Sequence, residues 1–257
     1  MSGPTSSRGS GAFISSLQSS DERDAGLNEP SWGIADAAVG WLVAFFASAL
    51  LGALIVAAAG FKPDDDLPLW LLALSYPPLW IGFIGAPLLV AATKGNGWVK
   101  DFRAAIRWID VPIGLLIGVV TQIVVVPLVS APVLWLSGQS TEDLARPARE
   151  LADKAVGPGG ALLFILIVGI GAPIAEELFF RGLMLRAFEK KWGKWVALGA
   201  SSIWFGATHF QPLQFAALST VGAIFGFLAI WSRRLGLAVT AHMGFNLTTV
   251  VVLLWLT

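Results

Sequence analysis

Uninterrupted apolar runs of about 20 residues, long enough to cross a bilayer as helices, recur along this chain and restrict it to folds that lipid can surround. In hydrocarbon every backbone N–H and C=O needs a partner within the protein, and a helix supplies both from its own turns. The candidate spans are Ala37–Ala59, Leu67–Ala92 (interrupted by Pro77, Pro78 and Pro87), Val111–Leu136, Gly160–Leu185, Trp195–Phe210, Phe215–Trp231 and Gly236–Leu256. They predict an all-α fold, a polytopic membrane helix bundle with about seven transmembrane helices. Composition agrees: 56% of the 257 residues are hydrophobic and 13% charged, against roughly a quarter charged in a soluble domain.

Residues 1–31 are polar and rich in Ser and Gly, which predicts a disordered cytoplasmic tail without the short apolar core of a cleaved signal peptide. Residues 32–159 carry the N-terminal membrane helices and their connections, and 160–257 form the unit on which the ionisable residues concentrate. Between the third and fourth spans runs a polar stretch, Ser137–Gly159, where Pro147 argues against one continuous helix. The absence of Cys excludes disulfides, thiolate metal sites and cysteine nucleophiles. With 17 basic and 17 acidic residues, nothing points to nucleic acid; the partner that composition implies is the lipid bilayer.

Lys and Arg set the expected orientation. Lys94, Lys100, Arg103 and Arg107, then Arg186, Lys190, Lys191 and Lys194, then Arg233 and Arg234 follow the second, fourth and sixth spans. The N-terminus is therefore expected to be cytoplasmic and the C-terminus on the opposite side. Trp32, Trp98, Trp108, Trp192, Trp195, Trp231 and Trp255 fall near span ends, as an interfacial belt requires.

A charge at mid-bilayer costs about 2.5–3.5 kcal/mol even on lenient scales, so each one needs a reason. The fourth, fifth and seventh spans carry Glu176, Glu177, Arg181, His209 and His242, and the two histidines are the only ones in the chain. Glu177 and Arg181, four apart, share a helix face and suit an ion pair, whereas Glu176 points about 100° away and stays available. Pro173, with Gly169 and Gly171, is expected to loosen or break the helix ahead of the pair, and a fresh N-terminus there would bring a positive dipole to both acids. His242 and Asn246 also lie four apart on one face. A carboxylate, two imidazoles and an amide converging from three helices can activate water and stabilise an oxyanion. Glu176, His209 and His242 can equally ligate zinc or another divalent metal.

The run Ala-Pro-Ile-Ala-Glu176-Glu177-Leu-Phe-Phe-Arg181-Gly, then Phe205-x-x-x-His209, then His242-x-x-x-Asn246, resembles the three motifs of the CPBP family. That family comprises the type II CAAX prenyl endopeptidases and the bacterial bacteriocin-processing, self-immunity and abortive-infection proteins. The resemblance covers about Gly160–Leu256. It implies an intramembrane endopeptidase acting on a membrane-anchored peptide or protein. Glu176 is then the general base, assisted by His209; His242 and Asn246 stabilise the oxyanion; Glu177 and Arg181 shape the site. No cofactor is required on the metal-free form of this mechanism, while the metalloprotease form uses Glu176, His209 and His242 as ligands. Two rival functions are a proton-coupled transporter, built from the same intramembrane Glu and His, and a non-catalytic scaffold of the same fold. One geometric tension stands: at about 1.5 Å per residue, the depths of Glu176, His209 and His242 in their spans scatter by around 12 Å.

Overall fold

Each apolar run folds as helix, and the computed structural model describes residues 29–62 and 64–256. The tail expected over 1–31 therefore lies, up to residue 28, outside the described residues. Besides a single turn at Trp98–Asp101, the helices are α1 (Ile34–Ala58), α2 (Leu69–Lys94), α3 (Asp110–Ser137), α4 (Thr141–Ala152), α5 (Gly157–Ala207), α6 (Phe215–Ser232) and α7 (Gly236–Leu256). No strand occurs among the described residues. All but α4 are long and apolar enough to cross a membrane. Phe46, Leu50, Ile81, Leu116 and Trp135 turn outward, as helices solvated by lipid tails allow. The chain is an integral membrane protein.

The proline signals resolve differently from one another. In α2 the helix pauses at Tyr76, just before Pro77 and Pro78, and Pro87 is absorbed inside it. Pro147 does not stop α4, which runs from a Ser140–Asp143 capping box through Ala152; the break comes at Asp153–Val156 instead. The helix is short and amphipathic, and Asp143, whose carbonyl loses its partner to Pro147, lies where water can replace it.

α5 has 51 residues, about 77 Å of helix and more than twice the thickness of a hydrocarbon core. Gly193 divides it at φ 76, ψ 169, a region essentially reserved for glycine. Phe180 on the first limb meets Phe205 on the second, ring centroids 5.2 Å apart, so the limbs fold back on each other. Six apolar helices thus make seven crossings. The second limb, residues 194–207, is only ~21 Å long.

α3 and α7 run parallel and nearly in backbone contact. A Cβ on Gly118 would fall 2.1 Å from Ala241 O, and one on Gly244 would fall 2.5 Å from Leu115 O. This is the small-residue packing that holds membrane helices together without a hydrophobic drive between them. At its start α3 is pinned to the α6–α7 turn, because buried Asp110 accepts from Arg234 Nε at 2.8 Å.

The loops sort onto two faces. Leu235 N donates to Arg103 O (3.0 Å), Lys190 Nζ to Trp32 O (2.8 Å) and Ser31 N to Lys94 O (2.8 Å), so the Lys- and Arg-rich turns share one end of the bundle. At the other end Lys154 pairs with Asp66, and Gln214 Nε2 donates to Leu144 O at 2.7 Å. Trp32 departs from the expected belt: it is buried, and its Nε1 donates to Asp101 Oδ2.

Candidate active site

The first limb of α5 places Glu176, Glu177 and Arg181 where its winding changes. Ile165–Gly171 and Leu178–Met184 are π-helical, with Ala172–Glu177 as α-helix between them. Such widened turns recur at functional sites because they re-aim side chains. Pro173 loosens the helix but does not break it, since Gly171 and Ala172 keep helical angles. The fresh N-terminus and its dipole are therefore not formed. In the π register the Ala172 N–H bonds Ile167 O, five residues back. Pro173, with no N–H, leaves the next carbonyl, Val168 O, without a helical donor. Asn246 Nδ2 fills that vacancy from α7 at 2.7 Å, which spends one of its two amide hydrogens.

Glu177 is fully buried at the hub of the site. Its Oε1 accepts from Arg181 Nη1 at 2.7 Å and from His242 Nδ1 at 2.9 Å. Arg181, 2% exposed, also donates to Gly222 O on α6 at 3.0 Å, and its guanidinium lies 4.4 Å from the centre of the Phe205 ring. The guanidinium thus ties the first limb of α5 to α6 through Gly222 and to the second limb through Phe205. With Nδ1–H directed at a carboxylate, neutral His242 carries its lone pair on Nε2. That atom stands 4.0 Å from Glu176 Oε2. Glu176 Oε2 is buried and has no hydrogen-bond partner among the described residues. The two adjacent carboxylates thus meet opposite edges of one imidazole, although their side chains leave the helix in different directions.

His209 Nδ1 lies 2.7 Å from Phe205 O, which fixes the proton on Nδ1 and the lone pair on Nε2. Its ring contacts Phe205 (centroids 4.8 Å), and Phe205 in turn contacts His242 (5.9 Å). The depth mismatch between Glu176 and His209 closes in the hairpin, because Glu176 stands 17 residues before Gly193 and His209 stands 16 after it. Counted from the true reversal point, the two are level. The structure thus gathers Glu176, Glu177, Arg181 and His242 by direct approach, joins His209 through Phe205, and ties Asn246 to Val168.

Residues 158–248 match the family model described as Type II CAAX prenyl endopeptidase Rce1-like. The similarity is confined to this segment. It contains all six site residues, while α1–α3 lie outside the match. An "Uncharacterized 24.3 kDa protein" of Escherichia coli is 34% identical over 117 residues, 43% of this chain and 53% of that one. "Putative membrane peptidase YdiL" of Bacillus subtilis (strain 168) is 29% identical over 89 residues, 35% of this chain and 36% of that one. The chain thus spans about half the length of the first relative and about a third of the second. No solved structure matches it.

Three aromatic residues around this site, Phe205, Phe225 and Tyr76, are not signalled by its charged residues. Phe205 and Phe225 sandwich Arg181 and contact the His242 ring, Phe225 at 5.0 Å. Phe225 sits on the sixth span, which shows no ionisable residue to draw notice. Tyr76, the only tyrosine in the chain, lies at the α2 pause within electrostatic reach of Glu176. Its place beside Pro77 was visible in sequence, but its nearness to the site was not.

The metal alternative needs three convergent ligands. Among the described residues no group of three His, Cys, Asp or Glu is arranged to hold a metal ion. Both Nδ1 atoms are taken, by Glu177 and Phe205 O, and Glu176, His209 and His242 do not close on a common centre in this arrangement.

Proposed function

We propose that the chain is an intramembrane endopeptidase that hydrolyses a peptide bond of a membrane-associated peptide or protein, with Glu176 as general base. The observation that carries this reading is the facing pair of Glu176 Oε2, buried and unpartnered, and His242 Nε2, 4.0 Å apart. The separation is too long for a direct hydrogen bond and suits one water donating to both atoms. In the first step the water oxygen bonds to the scissile carbonyl carbon, its proton passes to Glu176, and the C=O π pair moves onto oxygen. Collapse re-forms C=O and breaks the C–N bond, and the leaving amine takes the proton from Glu176.

Glu177 holds the His242 ring and its tautomer, and it stabilises the imidazolium whenever Nε2 gains a proton. Once Glu176 relays the water's proton to Nε2, His242 and the second amide hydrogen of Asn246 are the donors for the oxyanion, and the proton returns to Glu176 as the intermediate collapses. His209, level with Glu176, assists the base. This step runs through the chain's own residues and requires no cofactor. The Rce1-like match over 158–248 supports peptide hydrolysis as the reaction class. The experiment is proteolysis of a membrane-peptide library by the purified chain in lipid, beside Glu176→Gln. Full turnover by that variant would sink the assignment.

A further inference from the structure

We propose that the pocket of about 660 Å³ on the basic face, lined by Trp32, Lys100, Asp101, Arg103, Arg186 and Lys190, binds the phosphate of an anionic phospholipid headgroup. The pocket lies outside the catalytic cluster, at the end of the bundle where the α2–α3 loop, the end of the first α5 limb and the segment before α1 meet.

Three features point to an anion. The first is unmatched cation. Among the described residues the side chains of Lys100 and Arg103 have no hydrogen-bonded acceptor, while two of the three acids lining the pocket are occupied, Asp101 by Trp32 Nε1 and the Asn96 N–H and Glu189 by Arg186, and the third, Glu29, is exposed. The second is crowding of like charge. Burial and the nearby Arg186 hold the Arg103 guanidinium below its ordinary range, with Arg233 adding to the effect and Glu189 opposing it. Arg186 is 4% exposed and its Nε has no partner. A bound anion relieves this repulsion. The third is backbone strain: Arg103 sits at φ 54, uncommon for a residue with a side chain, and strain of this kind concentrates at ligand clamps.

Depth selects the source of the phosphate. The loop that carries Lys100 and Arg103 also turns Trp98, Ile106 and Trp108 outward, Trp108 to 82% exposure. Outward Trp beside Lys and Arg marks the headgroup layer, and basic pockets between helices at that level suit anionic headgroups. Lys190 completes the rim, its ammonium 4.3 Å from the centre of the Trp32 ring and bonded to the Pro30 and Trp32 carbonyls.

The test uses the full chain, purified in neutral detergent, and reads thermal stability during titration with phosphatidylglycerol, phosphatidylcholine or inorganic phosphate. Phosphatidylglycerol should raise the melting temperature above an equal amount of phosphatidylcholine. Lys100→Gln and Arg103→Gln should each weaken its apparent affinity by about fivefold, while Lys154→Gln, on the opposite face, should leave it unchanged. Exposed Lys100 makes the first variant safe for folding. The proposal is overturned if both lipids act alike, if Lys154→Gln matches the pocket variants, or if inorganic phosphate alone reproduces the shift. The readout is binding, so it stands apart from any peptidase assay.

Discussion

Glu176 and Glu177 are neighbours in sequence with opposite circumstances, and substitution should separate them. Both keep a buried Oε2 without a hydrogen-bond partner among the described residues, but Glu177 Oε1 is held by Arg181 and His242, whereas Glu176 only faces His242 Nε2 at 4.0 Å. Glu176→Gln keeps shape and polarity, so peptidase turnover should fall at least about 100-fold while the melting temperature holds. Glu177→Gln or Arg181→Met strands the opposite charge in the core at a cost of about 3–5 kcal/mol. Those variants should lose melting temperature together with activity, and a stable Arg181→Met protein would contradict the role given to the pair. Asn246→Leu should cost about 1–3 kcal/mol by orphaning Val168 O, a stability loss that a purely oxyanion-binding amide would not show. Elemental analysis addresses metal. Active protein should hold far less than one metal per chain and be indifferent to a chelator; one tightly held zinc, lost in His209→Ala, would replace the general-base scheme with a ligand scheme.

The elements that decide the site are the α5 hairpin and the α3–α7 contact. Gly193 adopts angles that only glycine tolerates, although its Cβ position faces open space. Gly193→Ala should therefore cost about 1–3 kcal/mol from backbone strain alone, seen as a lower melting temperature with no steric repair available from neighbouring positions. At Gly118 the opposite holds: the backbone is ordinary helix and the space is absent, since Ala241 O would lie 2.1 Å from a Cβ. Gly118→Leu should push α3 from α7 one turn from His242, lowering turnover and stability together. A Gly118→Leu enzyme with native kinetics would show that α3 does not set the position of His242.

Across the whole molecule, the three basic turns share one end and the Lys154–Asp66 and Gln214–Leu144 contacts share the other. From the excess of Lys and Arg we propose that the first end is the cytoplasmic one. Reporter fusions after Lys94, Lys191 and Arg234 should read cytoplasmic, and fusions near Asp65 and Gln211 external. A cytoplasmic Gln211 would contradict the crossing by the short second limb of α5.

Sequence alone determined the class of solvent and the catalogue of crossings, because a bilayer imposes its thickness on apolar run length and forbids unpaired backbone. It also singled out Glu176, Glu177, Arg181, His209, His242 and Asn246, because each is costly in lipid and so stands out against an apolar background. Only tertiary structure decided how these residues meet. Depth counted from apparent span ends misplaced His209 relative to Glu176, because the first limb of α5 continues past Leu185 to Gly193 and the hairpin resets the origin. Local spacing paired Glu177 with Arg181 but could not show His242 bonded to Glu177 across 65 residues while facing Glu176. The Asn246–Val168 bond was equally hidden: the sequence shows Pro173 and the donor it lacks, but which distant side chain replaces that donor is settled when the helices pack.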